Sequence, residues 1–159
     1  MIWPWLVVGG VVLLLAAAAS WYFWRVGDAE RKAQSVFEAE RPRLERLYFE
    51  AAAASGKPRG LRWKACEWSG KPEFARERAT GRLAALVSVT IQFEAIPGSD
   101  MEGLPAVGNP RNASAVFFYH DRQWHTTGKT VFNLNPDEAL GRFKDHYERL
   151  GAPPATGIQ

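Results

Sequence analysis

No charged side chain occurs among the first 24 residues of this chain. Residues 6–19 are apolar throughout and consist only of glycine, alanine, valine and leucine. A helix needs roughly 20 predominantly apolar residues, each rising about 1.5 Å, to cross the hydrocarbon core of a bilayer. The sequence therefore predicts a transmembrane anchor over residues 2–24.

Aromatic residues flank this apolar run on both sides and predict where the anchor meets the membrane surfaces. The expected interface residues are Trp3, Trp5, Trp21, Tyr22, Trp24 and Arg25. Tryptophan and tyrosine settle at the headgroup level because their rings are amphipathic. A cleaved secretory signal is the alternative, since Ala17, Ala19 and Ser20 are small enough for a cleavage site. We favour a retained anchor, because a signal peptide begins with basic residues and residues 1–5 contain none.

Basic residues lie on one side of the anchor only. Those that follow it closely are Arg25, Arg31, Lys32, Arg41 and Arg43. Segments near a membrane span that are rich in lysine and arginine tend to stay in the cytoplasm. We therefore expect a single-pass protein of the cell (inner) membrane with a cytoplasmic C-terminal domain, and an extracytoplasmic domain is the alternative. The single cysteine, Cys66, fits either compartment.

The chain after the anchor is long enough for one domain and too short for two. We divide it into a juxtamembrane helical segment over residues 25–56, an α+β domain over residues 57–151 and a flexible tail over residues 152–159. The helical segment contains Pro42, which lacks the amide hydrogen that a helix interior needs, and we expect two helices or one kinked helix. The net charge of +3 is small, so we expect no nucleic acid partner.

The clearest strand signal is a strict alternation in the middle of the chain. Val87, Val89, Ile91 and Phe93 are separated by polar residues. Successive side chains of a strand point to opposite faces, so this pattern predicts a half-buried strand over residues 83–96 with one wet face.

The tetrapeptide Ser-Gly-Lys-Pro occurs twice, at residues 55–58 and 69–72. Glycine followed closely by proline is typical of the end of an element, and we interpret both copies as turns. They bracket a first strand over residues 61–68. The polar segment 72–82 is interpreted as an irregular stretch with one helical turn around Phe74.

A hairpin is expected further along the chain. It consists of a strand over residues 113–120, a turn at Asp121 and Arg122, and a returning strand over residues 123–134. Gly128 lies inside the returning strand and is expected to bend it or to split it in two.

The last predicted element is a helix with a strong start signal. Asn135 is the cap, Pro136 occupies the first helical position and Glu138 can complete a capping box. An apolar stripe at helical spacing extends to Leu150, and Gly151 follows it. We expect this helix to cover the dry face of the sheet.

These elements together indicate an α+β fold. We expect an N-terminal transmembrane helix followed by a small antiparallel sheet of about four strands, packed with N-terminal and C-terminal helices. This outline resembles cystatin-like and NTF2-like domains, in which a curved antiparallel sheet wraps a helix. The resemblance concerns the outline of the fold, and an apolar pocket between the sheet and the helices belongs to the NTF2-like alternative.

A long connection over residues 97–111 is the best candidate for a contact surface. Connections of about 15 residues without regular structure are uncommon inside a compact domain and are often functional. Its candidate contact residues are Asp100, Met101, Glu102, Leu104 and Val107. Either they pack under the edge of the sheet or they contact a partner.

Residues capable of chemistry are few. His120 and His125 flank a turn that contains Asp121, but we favour exposed hairpin residues over a metal site. Cys66 is interpreted as a small buried apolar residue and not as a nucleophile. We therefore predict no catalytic, cofactor-binding or metal-ligating residue and no cofactor.

The leading hypothesis is a non-catalytic, membrane-tethered interaction or scaffold domain, with membrane lipid and other membrane proteins or a second copy as partners. One alternative is a membrane-tethered domain with a small-molecule pocket, or an enzyme. The other is a structural subunit of a membrane complex.

Overall fold

The computed structural model describes residues 3–151, and it describes side chains from residue 7 onward. The predicted tail over residues 152–159 lies outside this part. The chain divides into two compact units, Met1–Glu38 and Ala39–Gln159. The elements, in chain order, are α1 (Trp3–Ala54), β1 (Leu61–Glu77), β2 (Leu83–Ala95), a 3-10 helix (Pro105–Gly108), β3 (Arg111–His120), β4 (Gln123–His125), β5 (Thr130–Phe132), α2 (Pro136–Arg142) and β6 (Tyr147–Arg149). The α+β prediction is confirmed.

The first part of α1 is long and apolar enough to span a membrane, and it is the one such helix in the described part of the chain. Its apolar side chains are exposed on every side, with Leu13 at 73% and Leu14 at 72% exposure. Within the same unit the guanidinium of Arg25 lies 5.0 Å from the centre of the Trp21 ring. This contact joins two of the predicted interface residues.

Helix α1 continues through Pro42, so the expectation of two separate helices is wrong. A proline in a helix interior costs about 3 kcal/mol. Two observations explain why the helix continues. Arg41 pairs with Glu45 at 2.8 Å across the proline, and the next apolar residues, Leu44 and Tyr48, are fully buried. Burial of two large side chains is of the magnitude needed to offset the proline.

The sheet of the second unit is antiparallel, and within the described residues it has six strands in the order β4-β3-β2-β1-β6, with β5 also paired to β3. The predicted strand over residues 83–96 is confirmed as β2. The turn at Asp121 and Arg122 is also confirmed, and both residues have positive φ angles, 50° and 62°. Gly128 splits the returning strand into β4 and β5, which raises the number of strands above the expected four.

Strand β1 is longer than predicted. Its pairing with β2 continues to Arg76, and the second Ser-Gly-Lys-Pro does not end it. The register instead shifts between Ser69 and Glu73, where Gly70 has a φ of +70°. A bulge can absorb extra residues without ending a strand. Phe74 pairs with Ala85, so the expected helical turn around Phe74 is wrong.

The C-terminal helix begins as predicted and ends early. Asn135 accepts a hydrogen bond from the amide of Glu138, whose side chain accepts one from the amide of Asn135, which confirms the capping box. The helix ends at Arg142, however, and Tyr147–Arg149 forms β6 against β1. The prediction of a helix to Leu150 is therefore wrong, because pairing with a distant strand decides the structure of these residues.

The two faces of the sheet are covered by different helices. Phe93 and Phe117 lie on the face toward α1. Phe117 contacts Tyr48 of α1 directly, and Phe93 contacts Trp63 of β1, which in turn contacts Tyr48. Leu86 and Val116 belong to the opposite face, where they form an apolar cluster with residues of α2. The expectation that the C-terminal helix covers the dry face of Val87, Val89, Ile91 and Phe93 is wrong, since α2 packs on the other side of β2.

Candidate functional site

The face of the sheet that α2 covers only in part carries a polar cleft beside α2. Its floor is formed by short polar side chains from adjacent strands. Ser69 pairs with Ser88, and Ser88 pairs with Ser114, so a row of serines crosses β1, β2 and β3. Ser114 is fully buried and donates a hydrogen bond of 2.8 Å to the carbonyl of Leu134. Ser69 and Ser88 line the cleft.

The next row extends the floor away from α2. Thr90 pairs with Asn112, and its hydroxyl donates to the side-chain oxygen of Asn112 at 3.2 Å. On the other side of the serine row the floor becomes apolar at Leu86 and Val116, which lie in the α2 cluster. The cleft therefore begins where the apolar part of this face ends.

Two walls complete the cleft. One is the segment between β5 and α2, which contributes Asn133, Leu134 and Asn135. The other is the chain that leads from the 3-10 helix into β3, which contributes Asn109 and Pro110. The cleft is open to solvent, and its volume is about 940 Å³. Ligand sites commonly have volumes of roughly 300 to 1,000 Å³, so the cleft is large enough for a ligand.

The cleft is almost free of charge. The ionisable residues among those that line it are Arg111 and Glu138. The carboxylate of Glu138 is already engaged, because it accepts a hydrogen bond of 3.0 Å from the amide of Asn135. The remaining polar lining consists of serine, threonine and asparagine side chains. These groups can form hydrogen bonds, but none of them is an acid or a base near neutral pH.

The predicted contact residues of the 97–111 connection lie in different environments. Met101 is half-buried beside Gly60, and the carboxylate of Glu102 accepts a hydrogen bond of 2.8 Å from the amide of Gly98. Asp100 and Leu104 are exposed and Val107 is half-buried. Other residues of the same connection reach the cleft, namely Ala106, Asn109, Pro110 and Arg111.

The predicted interface residues lie in the first unit. Trp21, Tyr22 and Trp24 are exposed, each by 61% or more. The side chains of Trp3 and Trp5 lie outside the described part of the chain.

The space between α1 and the sheet is filled with aromatic rings. The ring of Tyr48 is surrounded by those of Trp63, Trp68 and Phe117, at centre-to-centre distances of 6.2, 5.2 and 5.9 Å. The Tyr48 hydroxyl lies 2.6 Å from the hydroxyl oxygen of Thr130, and burial raises the pKa of Tyr48 above its usual range. An apolar ligand pocket at this position would have to displace these rings.

The remaining chemical candidates are isolated. His120 and His125 are exposed, with ring centres 6.4 Å apart, and Nδ1 of His120 lies 3.0 Å from the carboxylate of Asp121. Within residues 3–151 no group of three or more His, Cys, Asp or Glu side chains could hold a metal ion. Cys66 is half-buried, and burial raises the pKa of its thiol to about 11. The thiol is therefore protonated near neutral pH, and its nucleophilic thiolate form is scarce.

Comparisons of the chain with protein-family models, with curated proteins and with solved structures found no match. Function is therefore inferred from the geometry of the cleft and from the composition of α1.

The sequence contained part of the signal for the cleft. Ser88 and Thr90 alternate with the apolar residues of β2, which predicts them on its wet face, and in the structure both are half-buried and line the cleft. Their neighbours Ser69 and Asn112 could not be assigned to the same surface, because that requires the strand register. The sequence predicts that the strand ends near Ser69, so neither the bulge after this residue nor the register of the pairing around it could be predicted.

Proposed function

We propose that this protein is a single-pass protein of the cell (inner) membrane, whose anchor over residues 2–24 holds a non-catalytic interaction domain on the cytoplasmic side. The observation that carries this proposal is the exposure of the apolar side chains around the first part of α1. Val8, Leu13 and Leu15 are each more than half exposed. A helix that is apolar all round belongs in a protein core or in a membrane. Lipid is the environment that would cover these side chains.

The polar cleft and the adjoining connection are the proposed contact surface. The cleft offers hydrogen-bonding groups, and the one carboxylate among its lining residues is engaged by a backbone amide. Acid and base catalysis requires groups that can exchange protons within reach of a ligand. The lining of this cleft therefore favours binding over catalysis. Leu104, exposed by 49% on the same connection, adds apolar contact area.

Membrane fractionation of the full chain tests the anchor. Replacing both Leu13 and Leu14 by arginine places charge at the middle of the span, at a cost of about 3 kcal/mol for each residue. We expect the wild-type chain to stay in the membrane pellet after alkaline carbonate extraction and this variant to leave it. A matched control replaces Ile96 and Leu104, exposed apolar residues of the domain, by arginine and should stay in the pellet. Complete extraction of the wild-type chain would refute the anchor.

Cysteine labelling tests the orientation. In a Cys66→Ala background, Asp100→Cys provides one exposed thiol on the domain. A membrane-impermeant maleimide should label it in opened cells and leave it unlabelled in intact cells. Labelling in intact cells would place the domain on the outside and contradict the proposed orientation.

A further inference from the structure

We propose that the polar cleft binds an uncharged, extended peptide segment of a partner protein. This inference rests on the proposed function, because it names the class of ligand that the interaction domain would recognise. It is argued from the charge, the hydrogen-bonding capacity and the shape of the cleft.

The low charge of the cleft, which has one arginine and one glutamate among its lining residues, contrasts with the surface next to it. Further along the same face of β2, Arg62 pairs with Glu94 at 2.7 Å, and Gln92 donates to Glu67 at 3.1 Å. The chain thus uses charged side chains where this face meets water. Within the cleft, most of the polar lining residues are serine, threonine and asparagine. The two ionisable residues that line the cleft, Arg111 and Glu138, carry opposite charges, and Glu138 is engaged by the amide of Asn135. A segment with several charges would therefore lose hydration in the cleft and gain one ion partner at most, which is costly.

Several polar side chains of the cleft have unused hydrogen-bonding capacity. Ser69, Ser88, Asn109 and Asn133 line it without a side-chain hydrogen bond to any residue of the described part. An asparagine amide offers donors and acceptors side by side. This combination matches the alternating amide and carbonyl groups of an extended peptide. Serine and asparagine serve the same adaptable role in antibody paratopes.

The shape of the cleft favours a peptide over a saccharide or a flat apolar molecule. No aromatic ring is among the described residues that line it, so there is no surface on which a sugar ring or a planar ligand can stack. Ala106 and Pro110 are exposed on one wall, and the half-buried Leu134 on the other wall also packs against the apolar cluster under α2. They can contact the aliphatic parts of a peptide whose backbone lies along the polar floor.

A phage-displayed library of random heptapeptides, selected on the full chain in lipid nanodiscs, tests this proposal. Empty nanodiscs serve for counter-selection, and enriched peptides are then synthesised and their affinities measured by fluorescence anisotropy. We expect these peptides to carry no net charge. Their affinity should change by less than about 2-fold between 50 and 500 mM NaCl, because few ion pairs are available to be screened.

Variants of the cleft locate the binding. Ser88→Arg fills the floor and should weaken peptide binding by about 10-fold or more, which corresponds to about 1.4 kcal/mol. The matched control, Gln92→Arg, makes the same replacement on the same strand and face outside the cleft and should leave the affinity unchanged. The double variant Asn109→Ala/Asn133→Gly trims two wall residues and should also weaken binding. Glycine suits residue 133, whose φ is +60°.

Several results would overturn the proposal. A selection without enrichment would show that the cleft does not bind peptides of this kind. Peptides that bind equally to the wild type, Ser88→Arg and the double variant would show that they bind elsewhere. Charged peptides with strongly salt-dependent affinity would refute the ligand class. If the wild-type chain binds glycans on an array and Ser88→Arg abolishes this binding, the ligand of the cleft is a saccharide and not a peptide. Complete extraction of the wild-type chain from the membrane pellet would refute the proposed anchor alone, because the same peptide selection can then be made on the full chain in detergent solution. Failure of a membrane-retained chain to bind any peptide would refute the peptide ligand alone.

Discussion

The two faces of the sheet are built from the same three long strands and differ in what they require of their residues. The face toward α1 is filled with aromatic rings around Tyr48, and its central side chains are fully buried. The opposite face is apolar only under α2, and then continues as rows of short neutral polar residues. The first face is therefore expected to carry the stability of the domain. The polar part of the second face contributes little to the packing of the domain, so its side chains are available for binding.

The largest effect on stability that this comparison predicts is that of a substitution at Phe117. Its side chain is fully buried and contacts the rings of Tyr48 and Trp68. Replacement by alanine should lower the free energy of unfolding by about 3 to 5 kcal/mol, because it removes a large buried ring and leaves a cavity. Urea unfolding of the full chain in detergent, followed by near-ultraviolet circular dichroism, measures this change. A loss below about 1 kcal/mol, within the usual effect of a single substitution, would contradict the role of this face.

The next effect concerns the close approach of α1 to the sheet. A Cβ atom at Gly128 would lie 2.5 Å from the backbone nitrogen of Ala52, and the φ of Gly128 is +73°. Gly70 has a similar φ of +70° but open space around it. Both alanine variants incur the cost of the left-handed conformation, about 1 to 2 kcal/mol, and only Gly128→Ala also forces backbones apart. Gly128→Ala should therefore be clearly less stable than Gly70→Ala in thermal unfolding, and equal stability would refute the close contact.

The smallest expected effect is the difference in stability between the alanine variants of two serines in the same row. Ser114→Ala should cost about 1 kcal/mol, because the buried hydroxyl donates to the carbonyl of Leu134. Ser88→Ala should change stability by less than about 0.5 kcal/mol, since its hydroxyl has no partner within residues 3–151 and faces the cleft. Chemical denaturation of both variants measures the difference. A large loss for Ser88→Ala would mean that the cleft floor is structural.

Local signals in the sequence predicted several elements correctly. The alternation around Val89 identifies β2, because the burial of one face is repeated at every second residue. The capping box at Asn135 identifies the start of α2, since its hydrogen bonds join residues close in sequence. The turn at Asp121 and the split at Gly128 likewise depend on local backbone conformation.

The errors occurred where distant contacts decide the structure. Pro42 is unfavourable in a helix by itself, yet the burial of Leu44 and Tyr48 keeps α1 continuous. The stripe that includes Tyr147 fits a helix, but pairing with β1 makes it a strand. The cleft required the register of three strands and the placement of Asn109 and Asn133 beside them. No single segment of the sequence contains that information.

The central claim is that lipid covers the apolar first part of α1, and cysteine reactivity tests it most directly. In a Cys66→Ala background, Leu14→Cys and Leu104→Cys replace side chains that are 72% and 49% exposed in the folded chain. Open membrane fragments that carry either variant are treated with a charged maleimide. We predict fast labelling at residue 104 and labelling at residue 14 only after detergent dissolves the bilayer. Labelling of residue 14 at least as fast as residue 104 in intact fragments would show that water reaches this helix, and would contradict the anchor.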